Sequence, residues 1–486
     1  MQNKKLQGAH VKKSSVLLAP LVLFSSLLSP HIFAEEHTAN WLRGNASSVV
    51  ALADRLWEKA EVGYQETASS ALLRETLANE GFTVSTGVAG IPTAFVAEYG
   101  SDGPVIALLA EFDALPGISQ STSPFAETVE GKHAAHACGH HLFGAGSVGA
   151  AITLRHWLEE NNVPGRVRLY GTPAEEGGSG KVYMVRAGLF DDADIVMHWH
   201  PDDNNSASAF TTLANKSAKF RFKGVSAHAA VAPEFGRSAL DGIEAMNMMV
   251  NMLREHVPQE TRIHYVITAG GNAPNVVPNF AESFYYVRHP NAATLEGIWQ
   301  RLLNTARAAA LGTGTTIEWE VIHGNHSILP NETLAKLMYQ NLSASGGVKY
   351  DNEEAAYAEK IKATFPVEKR NEPSSESIET YGFYQRMGST DVGDVSWNVP
   401  TVGLSTATWV PGTSAHTWQA VAAGGMSIGH KGMLLAAEVM AKTAMDLYNN
   451  PPLIEQAKKE FIARRGEGFN YAPLLGDREP PLDYRK

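Results

Sequence analysis

The stretch PVIALLAEFDALPG, residues 104–117, decides the fold. Its run Val105–Ala110 is apolar without alternation, so it reads as a strand covered on both faces, as in a sheet held between layers of helices. Glu111 and Asp113 follow in EFDALPG at the end of that run. Upstream, residues 47–81 carry apolar positions at i, i+3 and i+4 and read as two amphipathic helices stopped by Gly81. Downstream, GHHLFGAGSVGAAITLRHWLEENN (139–162) reads as a long helix, RVRLYG (166–171) as a strand, KVYMVRAGLF (181–190) as a helix and ADIVMHWHP (193–201) as the next strand. Such alternation specifies a layered α/β domain, here spanning residues 37–214.

Near residue 214 the texture changes. SAKFRFKGVSAHAA (217–230) alternates like a half-exposed antiparallel strand, followed by a helix, two strands (RIHYVITAGG and AESFYYVRHP), a helix and the strand TIEWEVIHG. Strand–helix–strand–strand–helix–strand is a split βαβ, ferredoxin-like sandwich, expected over 215–325 as an α+β domain inserted into the larger one. The α/β texture resumes over 326–450, with TVGLSTAT as a strand and GHKGMLLAAEVMAKTAMDLY as a long helix. Segment 350–390 reads as a polar insertion, and the Pro-rich, charged residues 451–486 as a surface extension.

The sequence of 486 residues carries a formal net charge of −11, which argues against nucleic acid as a partner. At residues 1–34 a basic segment (Lys4, Lys5, Lys12, Lys13) precedes the apolar VLLAPLVLFSSLL and ends at Ala34, the pattern of a signal peptide. Thirteen residues broken by Pro20 are too short to cross a hydrocarbon layer of ~30 Å. The expectation is a periplasmic or secreted protein with no membrane anchor after cleavage. One cysteine excludes an internal disulfide, and a lone thiol in an oxidising compartment needs a reason.

That cysteine lies in KHAAHACGHH (132–141), where Cys138 and His140 form a tight chelating pair suited to a borderline ion such as zinc, against the alternative of a buried structural thiol. TPAEEGG sets Glu175 and Glu176 at a strand end, where one carboxylate can bind metal and its neighbour can act as general base on a bound water. His198 and His200 share one face of the MHWHP strand, and His416 sits in the Ser/Thr-rich SAHTWQ loop. Together they exceed the ligand count of one ion, so a two-metal site is expected. In the inserted segment His228 closes a strand, Asn275 lies in a turn and Arg288 ends the strand FYYVR. These read as donors for a carbonyl oxygen or a carboxylate, or simply as part of a polar surface.

In their order, EFDALPG, HACGHHLFG, GTPAEEGGSGK, HWHP, VSAHAA, NVVPN and HTWQAVAAGGMSIGHKGM resemble the di-metal amidohydrolase and exopeptidase family of aminoacylases, glutamate carboxypeptidases and auxin-conjugate hydrolases, over roughly residues 40–450. The resemblance implies an α/β/α catalytic domain interrupted by a lid and dimerisation domain. It implies Cys138, His140, Glu176, His200 and His416 as ligands to two divalent ions, Zn2+ or Mn2+. It implies Glu175 as the general base, Asp113 as the acid that orients a histidine ligand, and Asn275 and Arg288 as binders of the substrate carboxylate. His228 would serve a neighbouring subunit's site. The implied activity is hydrolysis of N-acyl or N-aroyl amino acids, p-aminobenzoyl-glutamate among them, by a homodimer, with a related second subunit as a further partner. A dipeptidase or aminopeptidase on the same scaffold, and a non-catalytic solute- or metal-binding protein, are the alternatives; retention of both Glu175 and Glu176 speaks against the last. His141 stands where many relatives carry Asp, so His141 and His198 remain open as extra ligands.

Overall fold

The computed structural model describes residues 41–486, and the expected signal peptide lies outside them. Two helices open the described chain, α1 (Ala46–Lys59) and α2 (Thr67–Asn79). They bury Val49, Leu52, Leu56, Leu72, Leu73 and Leu77, at helical spacing. Then come β1 (Thr83–Thr86), β2 (Phe95–Tyr99), β3 (Val105–Ala110), the helix α3 (His140–Asn161), β4 (Arg166–Gly171), the short helix α4 (Gly180–Arg186) and β5 (Ile195–Asp202). All six residues of β3 are buried, which is what an unalternating apolar strand requires of its surroundings.

The chain next builds a second sheet from β6 (Ala214–Lys223), β7 (Arg262–Ala269), β8 (Phe280–His289) and β9 (Thr316–Asn325), with helices α5 (Ala239–Leu253) and α6 (Ala292–Thr313) between them. Its order is β7-β8-β6-β9 and every pairing is antiparallel. Side chains of β8 alternate between buried and part-exposed, and α5 and α6 cover the buried face. This unit has its own core, around Phe220, Tyr285, Trp299 and Leu302.

The remainder returns to the first sheet through α7 (Glu332–Ser345), α8 (Asn352–Lys362), β10 (Thr401–Ala407), α9 (Ser427–Asn449) and α10 (Pro451–Arg465). The completed sheet runs β1-β2-β4-β3-β5-β10, antiparallel at β1-β2-β4 and parallel from β4 to β10. The buried helix α3 packs on α1, α9 and β3. Gly144 lets it do so: a Cβ there would stand 2.9 Å from the Glu111 carbonyl oxygen.

One expectation needs correction. Residues 451–486 are not a surface extension. Pro451 and Pro452 occupy the first turn of α10, where a missing N–H costs no hydrogen bond, so proline starts this helix and does not prevent it. Ile454, Ala457, Phe461 and Leu475 are buried, and residues 467–486 form a strap across the molecule. Segment 350–390, read as a polar insertion, is packed on the rest of the chain. Its helix α8 begins with a full capping box between Asp351 and Glu354, and Ile361 and Phe365 pack on Val410 and Ile428.

Candidate active site

The parallel strands β3, β4, β5 and β10 end on one side of the sheet, and the acidic and imidazole groups gather there. They line a cavity of about 460 Å³ that also receives Arg288 of β8.

Local backbone geometry decides which side chains point in. Gly139 has φ +77°, and a Cβ on it would lie 2.6 Å from the Pro201 side chain. Only glycine turns the chain there, so Cys138 lines the cavity and His140, the first residue of α3, stands directly behind it. Ala174 precedes the acidic pair with φ +56°, and His416 has φ +63°. Left-handed backbone at non-glycine residues is held only where the surroundings over-determine it. At Ala174 the holder is buried Glu66, whose Oε1 accepts from the Ala174 amide at 2.8 Å. Burial pushes the Glu66 carboxyl up to about 8.

Three sets of ligand atoms lie within 4.8 Å of one another: Cys138, His140 and His200; Cys138, Glu176 and His416; and Glu111, His140 and Glu175. Cys138 belongs to the first two, which is the arrangement of a thiolate shared between two ions. Cys138 Sγ stands 3.5 Å from His200 Nε2. His140 Nε2 is 3.1 Å from Glu111 Oε2, and His416 Nε2 is 3.2 Å from Glu176 Oε1. The last two pairs are close but out of line for hydrogen bonds, and His140 Nε2, Glu111 Oε2 and Glu176 Oε1 are buried without hydrogen-bond partners. Orphaned, converging N, O and S donors fit a pair of borderline divalent cations. His140 is oriented from behind, its Nδ1 2.9 Å from Asp113 Oδ1, while Asp113 Oδ2 accepts from the Glu176 amide at 2.9 Å.

Neighbouring charges settle which of these groups are ionised. Burial works against ionised Asp113 and Glu111, yet His140 beside the first, and Lys181 and His140 beside the second, hold both below the ordinary carboxylate range. Buried Lys181 bridges Glu111 Oε1 at 2.7 Å and Asp391 Oδ1 at 2.6 Å. Glu175 is raised well above its ordinary value by burial and by the neighbouring Glu111 and Glu176. Burial and His140 depress His200 to about 4, leaving it neutral and able to donate a lone pair.

Of the residues singled out from sequence, Cys138, Glu175, Glu176, His200, Arg288 and His416 line one cavity, with His140 and Asp113 directly behind. His198 touches the cavity but joins none of the three ligand sets, and its ring packs against Gly403 of β10. His141 is committed elsewhere: its Nε2 lies 3.0 Å from the Gly424 carbonyl and its ring against His136. His228 and Asn275 are exposed together at the tip of the second unit, joined by the Ala229 amide donating to the Asn275 carbonyl, and neither lines this cavity. Sequence reasoning does not single out Lys181, Asp391, Glu66, Arg386 or Arg485, and it gives Glu111 no role. Glu111 opens EFDALPG and Lys181 closes GTPAEEGGSGK. The available signal was a lysine set among carboxylates at strand ends, since a lysine is almost never buried unless paired.

Such a fold with such a ligand cluster defines a two-unit metallohydrolase architecture. Residues 107–373 match the model of peptidase family M20/M25/M40. The sequence is 41% identical over 436 residues to the B subunit of p-aminobenzoyl-glutamate hydrolase from Escherichia coli (strain K12), covering 84% of this chain and 91% of that one. It is 32% identical to the Xaa-Arg dipeptidase of Mus musculus, over 87% and 90% of the two chains. A dinuclear metal-binding peptidase of the M20 family from Bacillus subtilis shares the fold, with a TM-score of 0.58 at 19% identity, covering 84% of this chain and 99% of that one. The chain belongs to peptidase family M20/M25/M40. It is an enzyme that hydrolyses amide bonds.

Proposed function

We propose that this enzyme cleaves the amide of N-acyl or N-aroyl amino acids that keep a free carboxylate. The observation that carries this reading is the pairing, in one cavity, of the Glu175–Glu176 turn with the guanidinium of Arg288. Cys138, His140, Glu176, His200 and His416 would hold two divalent ions, zinc or manganese. When bound, such ions polarise a carbonyl and lower the pKa of water. Glu175 joins neither of the two sets that share Cys138, so its carboxylate is free to take a proton from water and pass it to the leaving nitrogen. The Arg288 guanidinium has no hydrogen-bond or ion-pair partner among the described residues, and its Nε is buried, so a substrate carboxylate would satisfy it.

The dipeptidase reading is less well supported. The Xaa-Arg relative releases a cationic residue by its name, whereas here Arg288, Arg386 and Arg485 line the cavity and, among the described residues, its carboxylates are those of the ligand sets. The p-aminobenzoyl-glutamate relative agrees better with that charge pattern. That relative is by name one subunit of a hydrolase, which supports a related second chain as a partner.

A homodimer through the second unit is supported by exposed apolar side chains on its edge, Val266 and Ile267 of β7 and Met248 and Met252 of α5. Export to the periplasm rests on residues 1–34 alone; recovery of protein beginning just after Ala34 from that compartment is its test.

The activity is tested by a turnover screen of N-acyl amino acids, varying both halves, with zinc and manganese loaded separately. Glu175→Gln should cut turnover by roughly 10²–10⁴-fold and leave metal bound. If metal-loaded protein turns over no amide and Glu175→Gln changes only ligand affinity, the protein binds and does not catalyse.

A further inference from the structure

The strap formed by the last residues of the sequence ends inside the cavity. Its path is fixed at several points. Arg478 Nη1 donates to the Val321 and Ile322 carbonyls of β9, each at 2.6 Å, and Arg186 of α4 donates to the Arg478 carbonyl at 2.7 Å. Gln65 Nε2 donates to the Leu482 carbonyl at 2.8 Å. The Tyr484 ring meets Tyr64 edge-on, with centroids 5.6 Å apart. Gly63 leaves room for the Tyr484 hydroxyl, with which a Cβ at that position would collide. Finally, Tyr484 Oη and Arg485 Nη2 both donate to the Glu176 carbonyl, at 3.0 and 2.8 Å.

That carbonyl occupies one guanidinium nitrogen of Arg485. Among the described residues Arg485 has no carboxylate partner, and its Nε is buried without any partner. The Arg288 guanidinium likewise has no carboxylate partner among the described residues; its Nε is buried without a partner and it lies over the Tyr286 ring, 5.6 Å from the centroid. Arg288, Arg485 and Tyr286 line the same cavity. Arg386, the third arginine there, is already committed: it donates to Ser405 Oγ at 3.1 Å, lies 3.6 Å from Asp202 and stacks over Phe210. Two unpaired cations beside one wall exceed what a single carboxylate needs. Holding them there without an anion is costly, because each is partly desolvated.

We infer that Arg485, carried in by the strap, forms a second anion subsite beside Arg288, and that the enzyme selects amides of a dicarboxylic amino acid. This rests on the N-acyl amino acid reading above and adds to it the charge of the leaving side chain and the residue that reads it. Arg485 is a specificity-determining residue. The strap's anchors on β9, α4 and Glu176 set its reach into the cavity.

The test compares N-benzoyl-L-glutamate with its neutral isostere N-benzoyl-L-glutamine on full-length, metal-loaded protein. The glutamate compound should be preferred at least tenfold in kcat/KM. Arg485→Met keeps the length of the stem and removes the charge. It should raise KM for the glutamate compound by roughly ten- to a hundredfold, leave its kcat within about twofold, and lower kcat/KM for the glutamine compound by a much smaller factor. Arg485→Lys should restore part of the preference. Metal content and melting temperature should match the unaltered protein. Equal losses on both substrates would overturn the inference, since Arg485 would then act only by positioning Glu176. So would an unaltered enzyme indifferent to glutamate over glutamine. If no amide is turned over at all, the parent reading fails and the subsite is judged separately by calorimetric titration with glutarate. Tighter binding to the unaltered chain than to Arg485→Met supports the subsite, and equal binding removes it.

Discussion

Asp113 Oδ1 stands 2.9 Å from His140 Nδ1, and the other oxygen of the same carboxylate accepts from the Glu176 amide at 2.9 Å. One side chain therefore fixes the ring orientation of one candidate ligand and the backbone of another. Carboxylates behind metal-bound histidines typically contribute 10–100-fold in metal affinity. Asp113→Ala should release metal at that scale during dialysis against a weak chelator, and Asp113→Asn, which keeps an oxygen for one of the two donors, should fall between. Elemental analysis gives the result. Full metal retention with lost turnover would move Asp113 into proton handling.

Cys138 is common to the Cys138–His140–His200 and Cys138–Glu176–His416 sets. Cys138→Ser should therefore weaken both ions, leaving well under one metal per chain where two are expected in the unaltered protein. Loss of a single ion would show that the thiol serves one side only. Gly139→Ala probes the same turn with the thiol retained. It forces φ +77° on alanine and drives a methyl group against Pro201. A cost of roughly 1–3 kcal/mol in stability, with a parallel drop in metal content, is the expected result. Urea unfolding and elemental analysis measure the two.

Much of this site was legible because its ligands follow strand ends and glycine turns. The unbroken apolar run of β3 declares a buried strand, and Glu111 and Asp113 must then emerge at its carboxyl end. TPAEEGG and HWHP do the same for β4 and β5. Arg485 was illegible for the opposite reason. Nothing local says that a proline-rich, charged segment will cross β9 and finish beside Glu176; the anchors are a few hydrogen bonds from Arg478, Arg186 and Gln65, with partners more than a hundred residues away. His141 could not be separated from His140 by spacing alone. Both are buried in the first turn of α3, and only the turn at Gly139 and the Gly424 carbonyl assign one to the cavity and the other to packing.

The cavity wall sets a pH limit on stability. His323 is buried, with Nδ1 2.8 Å from Ser179 Oγ and Nε2 accepting from Asn215, and burial followed by the nearby Arg288 depresses it to about 4. The unfolded chain takes up this proton near pH 6.5, the folded chain only near 4. The neutral ring's contribution is thus intact above about 6.5 and lost progressively as pH falls towards 4, by a total on the order of 3 kcal/mol. His323→Gln should flatten the pH dependence of unfolding free energy in that window by up to one proton, about 1.4 kcal/mol per pH unit. Parallel urea titrations between pH 4 and 7.5 compare the slopes. Identical slopes would mean that His323 accepts its proton in the fold at no cost.

His228 presents the sharpest conflict between motif and position. Its Nδ1 accepts from the Ala230 and Val231 amides at 3.2 Å, its ring is exposed at the tip of the second unit, and it does not line its own chain's cavity. If it serves the reaction, the cavity it serves belongs to a second copy. Each site of a dimer would then need Glu175 from one chain and His228 from the other. His228→Ala and Glu175→Gln should each be nearly inactive alone with metal retained. Mixed by co-expression, they should regain close to a quarter of full activity. Half the dimers formed would be mixed, and each would carry one site with both groups intact. Absence of recovery in verified mixed dimers would confine His228 to shaping the Ala230–Val231 turn, and a loss of metal in His228→Ala would assign its effect to folding.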